Sequence, residues 1–152
     1  MVFVKYLNEL GYDLLLIDNN IEIITEGVYF DVIILNNVVI KILKNQLNNF
    51  DELFNIIEMV EIQNHLAKHM DEVFPAYVFK NYIITDKVPG IRCDKIKDKR
   101  FEETFLNKIQ ELKTVIRKLG VEIIDITRHN LFFDDNKFYM VDFSGVRYLT
   151  NK

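Results

Sequence analysis

The first half of the chain contains short apolar runs rich in β-branched and aromatic residues, a pattern typical of strands. Three such runs occupy residues 21–25, 29–35 and 38–43. The two-residue spacer Asn36-Asn37 between the second and third runs is typical of a tight hairpin. We therefore predict an antiparallel three-stranded meander, preceded by a short helix at residues 2–10 that ends at Gly11.

Two longer windows instead repeat their apolar residues at helical spacing. The first covers residues 49–70, and the second covers residues 101–119 and ends before Gly120. Between these helices, residues 77–85 predict a second hairpin and residues 87–90 predict a turn.

Three short extended segments are predicted after the second helix, at residues 121–126, 131–133 and 138–143. Strands mixed with helices in this order indicate the α+β class. We expect a single domain over residues 1–152, with a first lobe at about residues 1–86 and a second at about residues 87–152.

Composition narrows the function classes. The 152 residues are 49% hydrophobic and 28% charged, which is typical of a folded domain, and the net charge is −4. Nucleic acids and anionic membranes bind positive patches, so we expect neither as a partner. Apolar runs fall short of the ~20 residues that span a bilayer, and no signal-peptide pattern opens the chain. The single cysteine, Cys93, excludes an internal disulfide and fits a reducing, cytoplasmic compartment.

Four polar residues interrupt or follow the apolar runs and are candidates for chemistry. Lys41 lies inside a predicted strand, although a lysine there is often only the solvent-facing residue of the alternation. Asp125 and Asn130 flank a short loop, where the alternative is an Asx-turn. Asp142 stands between Val and Phe, and an acid buried there needs a partner or a metal.

Together these residues follow the order of the protein-kinase signature. Residues 38–41 resemble the V-A-I-K strand, and residues 125–130 resemble the D-x-x-x-x-N catalytic loop. Residues 142–144 resemble D-F-G, and residues 86–90 are similar to the hinge of many bacterial and atypical kinases. The resemblance covers about residues 21–145 and implies a bilobal kinase-like fold, with a first lobe of antiparallel sheet plus one helix.

The resemblance also implies ATP and Mg²⁺ as cofactors and gives the candidate residues their roles. Lys41 would contact the α- and β-phosphates, and Glu61, or Glu58 one turn earlier, would hold that lysine. Asp142 and Asn130 would bind Mg²⁺, and Asp125 would accept the proton of the attacking hydroxyl. The other residues implied in cofactor binding are Gly27, Val32, Val39, Asp86 and Val88.

The sequence departs from the kinase pattern in several places. Gly27 alone remains of the glycine-rich loop, and Asp31 is expected to repel a phosphate passing nearby. Ile123-Ile124 replace the H-R of the catalytic loop, and Thr127 stands where most kinases have lysine. Compact atypical kinases carry Ser or Thr at that position, so this change is tolerable.

Only residues 144–152 follow Asp142-Phe143, so we expect no activation loop and a strongly reduced second lobe without the later helices. This pattern resembles the truncated effector kinases that pathogenic bacteria inject into host cells, which implies the cytoplasm or a host cytosol as the location. A virus or phage is an equal alternative source.

Without later helices to cover it, part of the apolar surface of helix 101–119 should be exposed, or covered by a second copy or another protein. The apolar residues of this helix include Phe105, Ile109, Leu112 and Ile116.

The resemblance implies transfer of the γ-phosphoryl group of ATP to a Ser or Thr hydroxyl of a protein substrate, with activation by a partner protein. A homodimer is compatible with this expectation. One alternative is a pseudokinase that acts by docking, which the sparse glycine loop and Asp31 favour and the intact catalytic set opposes. A second alternative is a small-molecule kinase, although such enzymes carry a substantial C-terminal substrate lobe.

Overall fold

The computed structural model describes residues 21–24, 30–35, 37–43, 50–79, 82–124, 126–143 and 145–149. The predicted helix at residues 2–10 and the candidate site residues Gly27 and Asp125 lie outside the described residues.

Five antiparallel strands form the first sheet, in the order β1-β2-β3-β5-β4. They are β1 (Ile21–Ile24), β2 (Phe30–Leu35), β3 (Val38–Leu43), β4 (Ala76–Phe79) and β5 (Tyr82–Asp86). The first three strands form the predicted meander, and the last two form the predicted second hairpin. Pairing of β3 with β5 joins the meander and the hairpin into one sheet.

Helix α1 (Phe50–Ala67) covers one face of this sheet. Ile56 and Val60 of the helix pack with Leu43 and Ile83 of the sheet. Side chains alternate along a strand, so Lys41 shares the face of Leu43. Lys41 is also directly opposite Ile83 in the β3–β5 register, and the sheet face that carries Lys41 is therefore the one that packs on α1.

The described residues of the second half of the chain form one long helix and five short strands. The helix is α2 (Lys99–Lys118), and the strands are β6 (Ile91–Arg92), β7 (Val121–Ile123), β8 (Leu131–Asp134), β9 (Lys137–Met140) and β10 (Val146–Tyr148). Strands β6, β8 and β9 form one small sheet, and β7 pairs with β10. Asp135 and Asn136 both have positive φ, at 44° and 63°, as the tight turn between β8 and β9 requires.

Helix α2 begins and ends where its sequence indicates. The Asp98 side chain accepts a hydrogen bond from the Arg100 backbone at 2.9 Å and caps the first turn. Gly120 follows the last turn with a φ of 81°, the left-handed conformation that glycine adopts most readily. Neither helix in the described part of the chain is long and apolar enough to cross a membrane.

Most apolar residues of α2 are buried, and the exposure expected for part of its apolar surface occurs at Leu106, which is 53% exposed. The buried ones are Phe101, Phe105, Ile109, Leu112 and Ile116, and they lie along one stripe of the helix. They pack against Ile62 and Leu66 at the end of α1 and against residues of β7, β8 and β9, including Leu131 and Met140. Elements of the chain itself thus cover this stripe of α2.

Helix α1 connects the two halves. Ile56 and Val60 of this helix pack on the five-stranded sheet, and Ile62 and Leu66 near its end belong to the core built around α2. The ring Nε2 of His65 on α1 lies 2.8 Å from the Leu119 carbonyl oxygen at the end of α2. The position of α1 over Lys41 is therefore coupled to the second half of the chain.

Candidate active site

Lys41 and Asp142 interact electrostatically although they come from different halves of the chain. Lys41 is half-buried on β3. Desolvation by burial lowers the pKa of its ammonium below the usual lysine value, and the negative charge of Asp142 acts in the opposite direction and raises it. The structure therefore places these two predicted site residues within range of each other's charge.

Asp142 is exposed although the residue after it is buried. The Phe143 side chain is 2% exposed and belongs to the core around α2. Asp142 itself has a φ of 65°, a left-handed conformation that is uncommon outside glycine and is more often tolerated by Asp and Asn than by other residues. A left-handed residue thus separates β9 from Phe143, and Asp142 is exposed where Phe143 is buried.

Asn130 is placed beside this segment by its own backbone. The Val141 N–H donates to the Asn130 carbonyl oxygen at 2.8 Å, which ties Asn130 to the residue preceding Asp142. Asn130 closes a 3₁₀ turn, Arg128–Asn130, and its side-chain oxygen accepts hydrogen bonds from the backbone and hydroxyl of Thr127. Asn130 and Asp142 thus belong to two segments joined by a hydrogen bond.

The donor chemistry of these residues fits Mg²⁺. The Asp142 carboxylate and the Asn130 amide oxygen are hard oxygen ligands, which Mg²⁺ prefers. The described residues include no cluster of three His, Cys, Asp or Glu side chains that could hold a metal by themselves. Magnesium sites commonly add water and phosphate oxygens to one or two carboxylates, so a sparse protein set is compatible with this ion.

The structure does not place Glu61 or Glu58 in an ion pair with Lys41; no such bridge occurs among the described residues. Glu61 is exposed and Glu58 is half-buried on α1. Both carboxylates instead act on Tyr148 of β10, whose pKa is raised by desolvation first and by the two negative charges second. The carboxylate whose charge acts on Lys41 in this arrangement is Asp142.

The implied nucleotide-binding residues divide between the sheet face of Lys41 and the segment after β5. Val32 is directly opposite Lys41 in the β2–β3 register, and Val39 lies two residues before Lys41 on the same strand. Both valines therefore share the face of Lys41, and both are half-buried. Asp86 is exposed at the end of β5, and Val88 is buried two residues later.

Asp31 does not lie on this face. The structure therefore corrects the expectation that Asp31 would repel a phosphate near Lys41. Asp31 is opposite Ile42, one position out of step with the Val32–Lys41 pair. Adjacent residues of a strand point to opposite faces, so the Asp31 side chain is directed away from the Lys41 face.

Sequence reasoning missed a set of contacts that anchor the loop before Asn130. Arg128 forms an ion pair with Glu102 of α2, and its Nη1 donates to the Ile96 carbonyl oxygen at 3.4 Å. Its guanidinium also lies over the Phe105 ring, 5.1 Å from the ring centre. No spacing in the sequence links residue 128 to residue 102, so only the fold reveals this anchor.

His129, next in the chain, faces a second anchor. Its Nε2 lies 3.3 Å from Asp94, which also accepts two hydrogen bonds from Arg92 at 2.5 and 2.9 Å. The Arg92 hydrogen bonds, and to a smaller extent the charges of Arg92 and His129, hold the pKa of Asp94 below its usual range. The loop is thereby fixed both to α2 and to the segment after β6.

Replacing Arg128 with methionine should lower the free energy of unfolding by about 1–2 kcal/mol, since a partly buried ion pair and a cation–π contact are lost. Urea denaturation measures this loss. Arg147→Met is the matched control, because Arg147 pairs with Glu122 on an exposed surface and should cost less than about 0.5 kcal/mol. Equal losses in the two variants would show that Arg128 is no more than a surface residue.

No model of a known protein family matches the chain, and no curated protein matches it. Solved structures do match. The Rio2 kinase–ADP/Mg2+–phosphoaspartate complex from Chaetomium thermophilum aligns with a TM-score of 0.68 and 13% identity, over 84% of this chain and 48% of that one. The structure of WbdD with the kinase inhibitor LY294002 aligns with a TM-score of 0.57 and 12% identity, over 82% of this chain and 32% of that one.

These similarities show that the chain has a protein-kinase-like fold, and the α+β prediction is confirmed. The chain spans about half the length of the Rio2 structure and about a third of the WbdD structure.

Proposed function

We propose that the chain is a kinase that transfers the γ-phosphoryl group of ATP to a Ser or Thr hydroxyl of a protein, with Mg²⁺. The observation that carries the proposal is the electrostatic interaction between Lys41 and Asp142, which come from the two halves of the fold. A desolvated cation that interacts electrostatically with a carboxylate suits the binding of a metal–phosphate complex, and this combination occurs here in a kinase-like fold.

The sheet face around Lys41 would bind the nucleotide. Val32 and Val39 offer apolar surface to the base on the same face as the lysine, and Asp86 and Val88 would contact its edge. Burial makes the charged form of Lys41 costly, and the negative charge of the phosphates would offset that cost. Binding energy at this lysine should therefore depend strongly on the phosphate groups.

Asp142 and Asn130 would hold Mg²⁺, which when bound neutralises charge on the phosphates. Asp125 would accept the proton of the attacking hydroxyl, the role that the kinase resemblance gives it. The Rio2 structure that this chain resembles contains ADP, Mg²⁺ and phosphoaspartate, so a similar fold accommodates nucleotide and magnesium. That observation supports the cofactors proposed here.

A pseudokinase that acts by docking remains the first rival. The position of Asp31 on the face opposite Lys41 removes one of the two features that favoured it. A small-molecule kinase is the second rival, and phosphate transfer to lysate proteins rather than to small metabolites distinguishes it from the proposal.

Activation by a protein partner, in the cytoplasm or in a host cytosol after secretion, remains part of the proposal. The apolar stripe of α2 is buried within the chain, so this stripe is not the docking surface. Comparing phosphate transfer by the purified chain with and without lysate fractions tests for such a partner.

ATP with Mg²⁺ should bind and stabilise the chain, and Lys41→Met should weaken this binding at least tenfold. A ligand at 100 times its Kd adds about 2.7 kcal/mol to the free energy of unfolding, which thermal unfolding detects easily. Calorimetry with ATP, with and without Mg²⁺, measures the affinity. Lys113→Met, at an exposed position on α2, is the matched control and should bind as wild type does.

Two results would contradict the proposal. Wild-type affinity in Lys41→Met would place the nucleotide elsewhere. Absence of any Mg²⁺-dependent stabilisation would favour the pseudokinase.

A further inference from the structure

The side-chain oxygen of Asn130 is already engaged by Thr127. The Thr127 N–H donates to Asn130 Oδ1 at 2.7 Å, and the Thr127 hydroxyl donates to the same oxygen at 2.9 Å. The His129 N–H in turn donates to the Thr127 hydroxyl oxygen at 3.3 Å. These bonds form a capping box that closes the 3₁₀ turn.

The chemistry of the partners fixes which end of the Asn130 amide faces Thr127. A backbone N–H can only donate, so the Asn130 atom 2.7 Å from it must be the oxygen. The Thr127 hydroxyl oxygen accepts from His129, and its own proton is then available for Asn130. Both bonds therefore converge on the atom proposed as a metal ligand.

An amide oxygen has two lone pairs, and Thr127 occupies both. Mg²⁺ binds oxygen at about 2.0–2.1 Å and demands near-octahedral geometry. A hydroxyl proton aimed at the same lone pair would lie close to the cation and repel it. Metal ligation by Asn130 therefore requires at least one of the two Thr127 bonds to break.

The hydroxyl bond is the one that can break at low cost. The Thr127 N–H is fixed by the backbone of the turn, whereas the hydroxyl can rotate about a single side-chain bond. With the N–H bond kept, one lone pair of Asn130 Oδ1 becomes available to a metal.

We infer that the Thr127 hydroxyl competes with the metal ion for the Asn130 amide oxygen and thereby lowers the metal affinity of the site. This inference rests on the proposed function, because it takes Asn130 as a ligand of Mg²⁺. It gives a regulatory role to the residue that stands in place of the usual kinase lysine. The free energy of the hydroxyl bond is subtracted from that of metal binding.

The inference predicts that loss of the Thr127 hydroxyl raises metal affinity, which is the opposite of the effect expected from a purely structural role. Thr127→Val removes the hydroxyl, and with it the bonds to Asn130 and to the His129 N–H, but it preserves the side-chain shape and the backbone N–H that donates to Asn130. Metal affinity should rise roughly two- to tenfold, the equivalent of one net hydrogen bond. If Thr127 only shaped the loop, the same substitution would loosen Asn130 and weaken metal binding.

Mn²⁺ is a suitable probe because it is paramagnetic and also prefers oxygen ligands. Electron paramagnetic resonance would measure the affinity of the full chain for Mn²⁺ in the presence of saturating ADP. Thr127→Ser keeps a hydroxyl and is the matched control, with wild-type affinity expected. In an Asn130→Ala background, Thr127→Val should have no effect, because the shared oxygen is gone. Thermal unfolding of each variant checks that it is folded.

The outcomes separate this inference from the proposed function. Unchanged or weaker Mn²⁺ binding in folded Thr127→Val overturns the inference, and the proposed function survives if wild type still binds the ion in a manner that Asp142→Ala abolishes. Tighter binding in Thr127→Val that persists in the Asn130→Ala background also overturns it. If neither wild type nor Thr127→Val binds Mn²⁺, the inference and the proposed function are both overturned.

Discussion

Replacing Gly90 with alanine should lower the free energy of unfolding by about 3 kcal/mol, because a left-handed backbone and a steric clash act together. Gly90 has a φ of 96°. A β-carbon added to it would lie 2.2 Å from the Phe133 carbonyl oxygen and 2.7 Å from the Asp134 β-carbon. Real β-carbons do not approach other atoms this closely, so the backbone would have to move.

The surrounding structure leaves little room for that movement. Ile91, the next residue, pairs with Phe133 in the β6–β8 register. Any shift that relieves the clash therefore weakens this pairing and displaces the segment around Val88. We also expect weaker nucleotide binding in Gly90→Ala if Val88 contacts the base as proposed.

Gly120→Ala is the matched control for Gly90→Ala. Gly120 also has a positive φ, of 81°, but no atom lies within 4 Å of the position of an added β-carbon. Its replacement should cost only the left-handed backbone, about 1 kcal/mol. Urea denaturation compares the two variants, and equal losses would show that the close approach at Phe133 has no energetic consequence.

The sequence predicted those elements whose apolar residues repeat over a long enough local stretch to show a period. Strands β2 and β3 and helix α2 have long apolar repeats and clear ends, and the structure confirms them. Strands β6 and β10 contain two and three residues, too few for any period to be visible. They exist because distant strands pair with them, and no local pattern reveals such pairing.

The side of the sheet on which Asp31 lies could have been predicted from the sequence. The two-residue spacer Asn36-Asn37 fixes the hairpin register, and counting outward from it pairs Val32 with Lys41. Asp31 is then one position out of step with that pair, on the other face of the sheet. The strand alternation that predicted the hairpin thus also predicted the correct side for Asp31.

The exposure expected for part of α2 occurs at Leu106 but not along its buried stripe, and the reason is different. The exposure was inferred from elements that follow α2 in larger kinases. In this chain the end of α1 and strands β7, β8 and β9 supply the cover, and Leu112 and Ile116 are 1% and 0% exposed. Tertiary packing determines which elements cover a helix, and the sequence pattern of the helix does not reveal that packing.

The candidate site also combines features that the sequence predicted with contacts that only the fold reveals. Motif order predicted that Lys41 and Asp142 belong to one site, and in the structure the charge of Asp142 acts on Lys41. The Arg128–Glu102 ion pair and the double hydrogen bond from Thr127 to Asn130 depend on three-dimensional placement. Such contacts leave no signal in a single sequence.

The largest effects on activity are expected at Asp125 and Asp142, and the two should differ in kind. Asp125→Asn should reduce phosphoryl transfer roughly 10²–10⁴-fold, the usual contribution of a general base, and leave ATP binding nearly unchanged. Asp142→Ala should impair both, because Asp142 would hold the metal and also acts on Lys41.

Transfer of radiolabel from ATP to lysate proteins measures turnover, and calorimetry with ATP and Mg²⁺ measures binding in the same variants. Asp135→Asn is the control for Asp125→Asn. It makes the same chemical change in the exposed turn between β8 and β9, where a φ of 44° suits asparagine, and should leave both quantities at wild-type values. Full turnover in Asp125→Asn would show that the catalytic loop is aligned incorrectly. Loss of turnover together with binding in Asp125→Asn would instead assign that carboxylate to the nucleotide site, because a group that only accepts the proton of the attacking hydroxyl makes no contribution to ATP affinity.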